Sequence, residues 1–198
     1  MNEKFERRIL EVRAVDNDES KMIVEGYAIT FDKPATHKYG TRKFTETIKK
    51  GSLDKTDMKD VPLRYNHNDN VMVMARTRNR SLKLIKDQKG LKVEADLLDT
   101  QSNRDLYKGI KEGLIDKMSF AFTVADKGDT WTYSEKETVR KINNIARLYD
   151  VSVVDTPFYD STSIYARSFE LLDSEEKRLE SLRELEILKL RNQILTKG

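Results

Sequence analysis

The chain of 198 residues contains no cysteine, which excludes a thiol nucleophile, a disulfide framework and every cysteine-ligated metal site. Without thiols it is indifferent to redox compartment. Histidine is almost as scarce: only His37 and His67 are present, so any histidine-dependent chemistry must use one of them. The two lie far apart in sequence and neither belongs to a His-Glu metal motif, which argues against a metallopeptidase. Long apolar runs are also missing. The start, Met1-Asn2-Glu3-Lys4-Phe5-Glu6-Arg7-Arg8, has charges with no apolar stretch behind them, so neither a secretory signal nor a membrane span is expected, and a cytoplasmic site of action is. Charge of one sign is lacking too. Lys plus Arg number 37 against 34 Asp plus Glu, a formal +3, too balanced for electrostatics alone to imply nucleic-acid binding. A nucleic-acid-binding barrel would want aromatics interleaved with a basic surface, and no such cluster stands out.

What is present describes a highly polar protein, 37% hydrophobic and 36% charged, of a length that suits one domain with an appendage. Most of the chain reads as strands. Phe5 to Val15 and Met22 to Phe31 surround the polar turn Asp16-Asn17-Asp18-Glu19-Ser20 and read as an antiparallel hairpin. Alternating runs recur at Val71 to Thr77, Ser81 to Ile85 and Leu91 to Leu97, with Asp87-Gln88-Lys89-Gly90 as the turn between the last two. Ile115 to Ala125 and Trp131 to Tyr133 flank Asp126-Lys127-Gly128-Asp129, and Thr138 to Val154 is apolar and β-branched enough for one long or bent strand. Several short strands with polar turns predict a barrel or a sandwich.

Helices are fewer. One is expected from about Ser102-Asn103 to Gly113, with Leu106 and Ile110 on one face, leading straight into the strand that carries Ser119. The stretch Phe44 to Gly51 is read as a second, short helix stopped by its glycine. From about Ser168 the character changes: Leu171, Leu172, Leu179, Leu182, Leu185, Leu188, Ile194 and Leu195 punctuate a Glu, Lys and Arg background at helical spacing. Proline is absent there and the only glycine is terminal. Asp173 or Ser174 serves as N-cap, with Glu175 and Glu176 in the first turn where the helix dipole favours negative charge. The expected organisation is a domain over residues 1–167 followed by an amphipathic helical tail over 168–198, which either packs or dimerises through its apolar face or docks on a partner.

Three residue types point to chemistry. His67 lies in Tyr65-Asn66-His67-Asn68-Asp69, Ser119 in Met118-Ser119-Phe120-Ala121-Phe122, and Asp150 opens Asp150-Val151-Ser152-Val153-Val154. A serine hydrolase needs a histidine to take the seryl proton and a carboxylate to hold that imidazole in the right tautomer. Each of the three sits on or beside an expected strand, as a group that must be held rigidly should. Spacing alone does not make a triad, since Ser, His and Asp occur in most proteins. Asp69 competes with Asp150 for the imidazole, though its place two residues on suits shaping the turn. His37, in the loop Pro34 to Gly40, reads as exposed. The chain order His, Ser, Asp excludes the chymotrypsin and α/β-hydrolase orders, and no Gly-x-Ser-x-Gly elbow surrounds Ser119.

With that order, residues 20 to 167 resemble the tailed-phage prohead protease family, the caudovirus capsid maturation proteases, which are similar in fold to herpesvirus assemblins. The resemblance starts at Glu25-Gly26-Tyr27-Ala28-Ile29-Thr30-Phe31 and runs through Phe44-Thr45-Glu46-Thr47-Ile48 to Gly51-Ser52-Leu53. Val61-Pro62-Leu63-Arg64-Tyr65-Asn66-His67-Asn68 looks like the family's histidine segment. Gly113-Leu114-Ile115-Asp116-Lys117-Met118-Ser119-Phe120-Ala121-Phe122 looks like its serine segment, and Asp150-Val151-Ser152-Val153-Val154-Asp155-Thr156-Pro157 its acidic one. The chain departs from the pattern at Asp150, where many relatives carry Glu, and at Ala121, where glycine is frequent.

The resemblance implies an α+β fold, a mostly antiparallel β-barrel with flanking helices as in assemblins, followed by the C-terminal amphipathic helix. It implies a serine endopeptidase with Ser119 as nucleophile, His67 as general base and Asp150 as orienting carboxylate, needing no cofactor or metal. Arg140 or Arg147 is then expected to supply positive charge at the oxyanion, with backbone amides as the other source. The implied substrates are the scaffolding region of the major capsid protein and the protease's own tail. The implied place is the assembling procapsid in the host cytoplasm, and the implied state a dimer or shell-bound oligomer, with no direct nucleic acid and no membrane. A noncatalytic assembly protein that keeps the fold is the other reading; such a relative would be free to lose His67 or Ser119, and this chain has both.

Overall fold

Period-two alternation of apolar and polar residues governs most of the chain, and strands follow from it. A computed structural model describes residues 6–15, 21–39, 42–155 and 181–189. The chain divides into two compact units, Met1–Pro157 and Phe158–Gly198. The first unit is mostly β. Its strands are β1 (Glu6–Val15), β2 (Met22–Thr30), β3 (Ala35–Tyr39), β4 (Arg42–Ile48), β5 (Pro62–Tyr65), β6 (Ala75–Arg76), β7 (Leu82–Lys86), β8 (Gly90–Leu97), β9 (Lys117–Val124), β10 (Asp129–Tyr133), β11 (Glu137–Ile142) and β12 (Ile145–Val154), with α1 (Gln101–Lys111) between β8 and β9.

Eight strands form one sheet in the order β6-β5-β12-β9-β1-β2-β8-β7. Its two edge strands are consecutive in the chain, joined by the turn at 77–81, where the Arg76 N–H donates to the Ser81 hydroxyl at 2.9 Å. The sheet thereby curls into a nearly closed barrel, which leaves little open edge. Leu91, Val93, Ala95 and Leu97 of β8 and Met118, Phe120 and Phe122 of β9 fill its interior, with the two phenylalanine rings stacked at a centroid separation of 5.1 Å. Gly26 allows β1 and β2 to approach, since a Cβ there would lie 2.5 Å from the Glu11 carbonyl oxygen. The first hairpin pairs as expected, Val12 opposite Gly26; its turn lies outside the described residues. In the β7–β8 turn the Asp87 carboxylate accepts the N–H groups of Lys89 and Gly90, at 2.8 and 2.9 Å.

Four further strands form a second sheet, β10-β11-β4-β3, and across the two sheets three expectations are corrected. Residues 44–48 belong to β4, not to a helix. Phe44, Glu46 and Ile48 are buried while Thr45 and Thr47 alternate with them, a β-branched period-two pattern that outweighs the glycine stop. The run Thr138 to Val154 is two strands, because both Asn143 and Asn144 turn their N–H groups onto the Gly128 carbonyl, at 2.7 and 2.9 Å. The chain leaves the small sheet there and enters the large one. Of Val71 to Thr77 only Ala75–Arg76 pairs, against the short β5. Pairing is mostly antiparallel, with parallel exceptions at β4–β11 and β5–β12.

Helix α1 forms where expected. Thr100 caps it by accepting the Asn103 N–H at 3.3 Å, Leu106 and Ile110 are buried, and Lys108 and Lys111 occupy the last turn. Gly113, at φ +71°, ends the excursion. In the second unit residues 181–189 are helical; the proposed caps Asp173 and Ser174 lie outside the described residues. Among the described residues no helix is long and apolar enough to cross a membrane.

Candidate active site

The histidine segment leaves β5 in an uncommon backbone. Asn66 and His67 both adopt positive φ, 53° and 52°, a region in which Asn and His are enriched among non-glycine residues. The Asn66 N–H donates to the Val153 carbonyl at 2.9 Å, and the Asn68 N–H turns back to Tyr65 at 3.0 Å. A side-chain clasp holds the turn. The Asn66 amide donates to Asp155 Oδ1 at 3.0 Å and accepts the Asp155 N–H at 3.2 Å, while the Tyr65 hydroxyl donates to Asp155 Oδ2 at 2.5 Å. That carboxylate, helped by partial burial, pushes the Tyr65 hydroxyl pKa above its ordinary value.

Register does the rest. On β9 the odd-numbered Ser119 and Ala121 face away from the side that Met118, Phe120 and Phe122 fill, and β12 lies antiparallel beside it with Ser152 opposite Ser119 and Asp150 opposite Ala121. Asp150 and Ser152 therefore share the face that Ser119 presents. The left-handed turn places His67 over that face. Its Nε2 lies 2.7 Å from Ser119 Oγ, and its Nδ1 lies 2.6 Å from Asp150 Oδ1. Ser152 Oγ donates to Asp150 Oδ1 at 3.0 Å, lies 3.1 Å from His67 Nδ1 and accepts the His67 backbone N–H at 3.2 Å. All four residues are buried; the most exposed, His67 and Asp150, reach 9%. With the Nδ1 proton directed at a carboxylate, Nε2 presents its lone pair to the Ser119 hydroxyl, so the arrangement can take up a seryl proton.

The three residues expected to act together thus meet, from β9, β12 and the loop after β5. The remaining expected residues do not join them. Arg140, on β11, is buried with its guanidinium on Glu46 at 3.1 Å and Asp129 at 2.6 Å, and over the Trp131 ring. Arg147 packs over Tyr149 and faces Asp57 at 3.8 Å. Neither makes a hydrogen bond to His67, Ser119 or Asp150 among the described residues. Asp69 pairs with Arg64 at 3.0 Å and is largely exposed, leaving Nδ1 to Asp150. His37 lies in β3, opposite Phe44. Among the described residues no cluster of His, Asp and Glu could hold a metal ion. An open cavity of about 960 Å³ lined by Met22, Met74, Arg78, Arg80, Leu98 and Asn103 contains none of the four site residues.

Sequence reasoning missed Ser152 and the Tyr65-Asn66-Asp155 clasp. For Ser152 a signal existed: it stands two residues after Asp150 on one strand and so shares its face. Asp155 had no distinguishing mark beyond its place in the acidic segment.

The geometry is compatible with a serine-type hydrolytic site on a nearly closed β-barrel. The family model of the caudovirus prohead serine proteases matches residues 8–176, and the chain belongs to that family. No curated protein and no solved structure matches it. Membership makes the chain one of the serine proteases of tailed-bacteriophage capsid maturation, associated with phage capsid proteins and acting within the procapsid in the host cell.

Proposed function

We propose that the chain is a serine endopeptidase in which Ser119 attacks the scissile carbonyl, His67 moves the proton and Asp150 orients the imidazole. In the first half-reaction the Ser119 proton passes to His67 Nε2 as Oγ bonds to the carbonyl carbon. The imidazolium, held by Asp150 at Nδ1, then gives that proton to the leaving amine, and an acyl-enzyme remains. Water repeats the sequence and frees the second product. The observation that carries this reading is the continuous hydrogen-bonded line from Ser119 Oγ through His67, 2.7 Å on one side, to Asp150, 2.6 Å on the other. The oxyanion needs a donor; the Arg140 guanidinium is held by two carboxylates and the half-exposed Arg147 packs over Tyr149 beside Asp57, and the proposal assigns the role to neither.

The substrates in this reading are the scaffolding region of the major capsid protein and the protease's own tail, cut inside the procapsid so that the shell empties for DNA. Residues 1–167 carry the chemistry, and residues 168–198 bring the enzyme into the shell and are removed by self-cleavage. The protein works as a dimer or shell-bound oligomer. The test is co-expression with the cognate major capsid protein, comparing the wild type with Ser119→Ala by intact mass of every product. Discrete truncation of both proteins in the wild type alone supports the endopeptidase. Uncut masses in both, with shells assembled, favour the noncatalytic assembly protein. Deleting residues after Arg167 is expected to prevent incorporation into capsids, and normal incorporation of the truncated chain counts against the tail's role.

A further inference from the structure

Ser152 is fully buried, 0% exposed, on the strand position directly opposite Ser119. Burying a hydroxyl in an apolar barrel wall is unfavourable unless it is hydrogen-bonded, and alanine would fill a bland position of this kind without that cost. The hydrogen-bonding capacity of Ser152 is spent on His67 and Asp150. A hydroxyl has one proton and two lone pairs. The single Nδ1 proton of His67 has its nearer acceptor in Asp150 Oδ1, at 2.6 Å against 3.1 Å to Ser152 Oγ. The Ser152 proton therefore goes to Asp150 Oδ1, at 3.0 Å, and one lone pair receives the His67 backbone N–H at 3.2 Å. That N–H belongs to a residue with φ of 52°, turned out of the strand ladder that Asn66 still joins through Val153.

We infer that Ser152 is a positioning residue for the Ser119 nucleophile, acting through Asp150 and through the backbone of His67; the inference rests on the serine-nucleophile reading above. It acts on the imidazole by two routes. Its proton fixes Oδ1 of Asp150 as the acceptor for Nδ1–H, which selects the tautomer whose Nε2 lone pair faces Ser119. Its lone pair fixes the left-handed backbone from which the ring projects. Partners that orient metal ligands commonly contribute about 10- to 100-fold to activity, and a misplacement of a reacting group by about 1 Å costs about 100-fold.

The test uses the full chain assembled with the cognate capsid protein and a fluorophosphonate probe, which loses fluoride as the seryl oxygen, its proton taken by His67, bonds to phosphorus. Adducts are located by intact mass and peptide mapping. The wild type is expected to form one adduct, at Ser119, absent from Ser119→Ala. Ser152→Ala, which deletes one oxygen from a strand residue, is expected to slow labelling by roughly 10- to 100-fold, in the limiting rate and not in the half-saturating probe concentration. Ser152→Thr, which keeps the hydroxyl, restores most of the rate. In an Asp150→Asn background Ser152→Ala adds far less than it does alone, because residues acting as one unit are non-additive. Equal rates for Ser152→Ala and wild type overturn the positioning role and leave the nucleophile standing. So does an equal loss in Ser152→Thr, and full multiplication of the two effects overturns the route through Asp150. A wild type with no adduct at Ser119 overturns the nucleophile reading and this inference with it.

Discussion

At the scale of single residues, reach decides the site. An aspartate is one methylene shorter than a glutamate, yet Asp150 Oδ1 still comes within 2.6 Å of His67 Nδ1. Two irregularities in the β9–β12 register, the second between Leu148 and Asp150, lie just before it and re-aim the strand where the carboxylate leaves it. Ser119→Ala is expected to reduce peptide-bond turnover on the order of 10⁶-fold. Asp150→Asn leaves the shape and removes the charge that selects the tautomer, so turnover falls on the order of 10⁴-fold with little change in the thermal midpoint. Steady-state kinetics on a capsid-derived peptide checks both, and an Asp150→Asn enzyme within tenfold of wild type would move the orienting role elsewhere. That His67, Ser119 and Asp150 would come together was anticipated from the three segments that resemble the family's, since residue type and spacing alone do not make a triad. Ser152 carried only its place two residues after Asp150 on one strand, a signal that gains meaning once the register puts it across from Ser119.

At the scale of the element, the loop after β5 is held by chemistry that no periodicity announces. Two consecutive left-handed residues each cost roughly 1–2 kcal/mol relative to ordinary backbone, less for Asn, so the clasp of Asp155 on Tyr65 and Asn66 must offset that cost. Asp155→Ala is expected to lower stability by about 1 kcal/mol in urea titrations. It also returns the Tyr65 pKa toward 10.0, since the neighbouring carboxylate is the main cause of its rise. A phenolate absorbance titration compared with Tyr65→Phe identifies the group. Activity falls with it because His67 directly follows the clasped residue; unchanged activity beside reduced stability would reduce the clasp to a structural fastening. Of the strands flanking this loop, β5 was not read from alternation and β6 is only the end of the run expected over Val71 to Thr77, whereas α1 was legible from Leu106 and Ile110. The helix read into 44–51 was not there, because a glycine stop looks the same after a strand as after a helix. Tertiary pairing of β4 between β3 and β11 decided the matter.

At the scale of the whole molecule, the barrel and the small sheet depend on pairings distant in sequence. Those were legible as a class, many short strands, and not as an order: nothing local tells Glu137–Ile142 to lie parallel to Arg42–Ile48. Ion pairs stitch several of the contacts. Glu25 of β2 reaches Lys92 of β8 at 2.7 Å and Arg13 of β1, so one carboxylate ties three neighbouring strands of the barrel. Its side chain is only 13% exposed, and the Lys92 ammonium, followed by Arg13, holds its pKa below the usual 4.5 against the opposing effect of burial. Asp60 beside Arg76, and Asp87 beside Tyr27 and the Gly90 N–H, are lowered in the same direction. A carboxyl group whose pKa is lower folded than unfolded adds stability that is complete above its unfolded value and disappears as pH falls through the folded one. Stability against urea is therefore expected to be flat above about pH 5 and to decline below about pH 4.5. Glu25→Gln should cost on the order of 1 kcal/mol at pH 7, a modest figure because solvent screens the Arg13 end of the pair, and progressively less as pH falls below about 4.5 and through the folded pKa of Glu25. A constant difference between the two proteins across that range would mean that packing of the Glu25 stem across the three strands, and not its charge, is what the barrel uses.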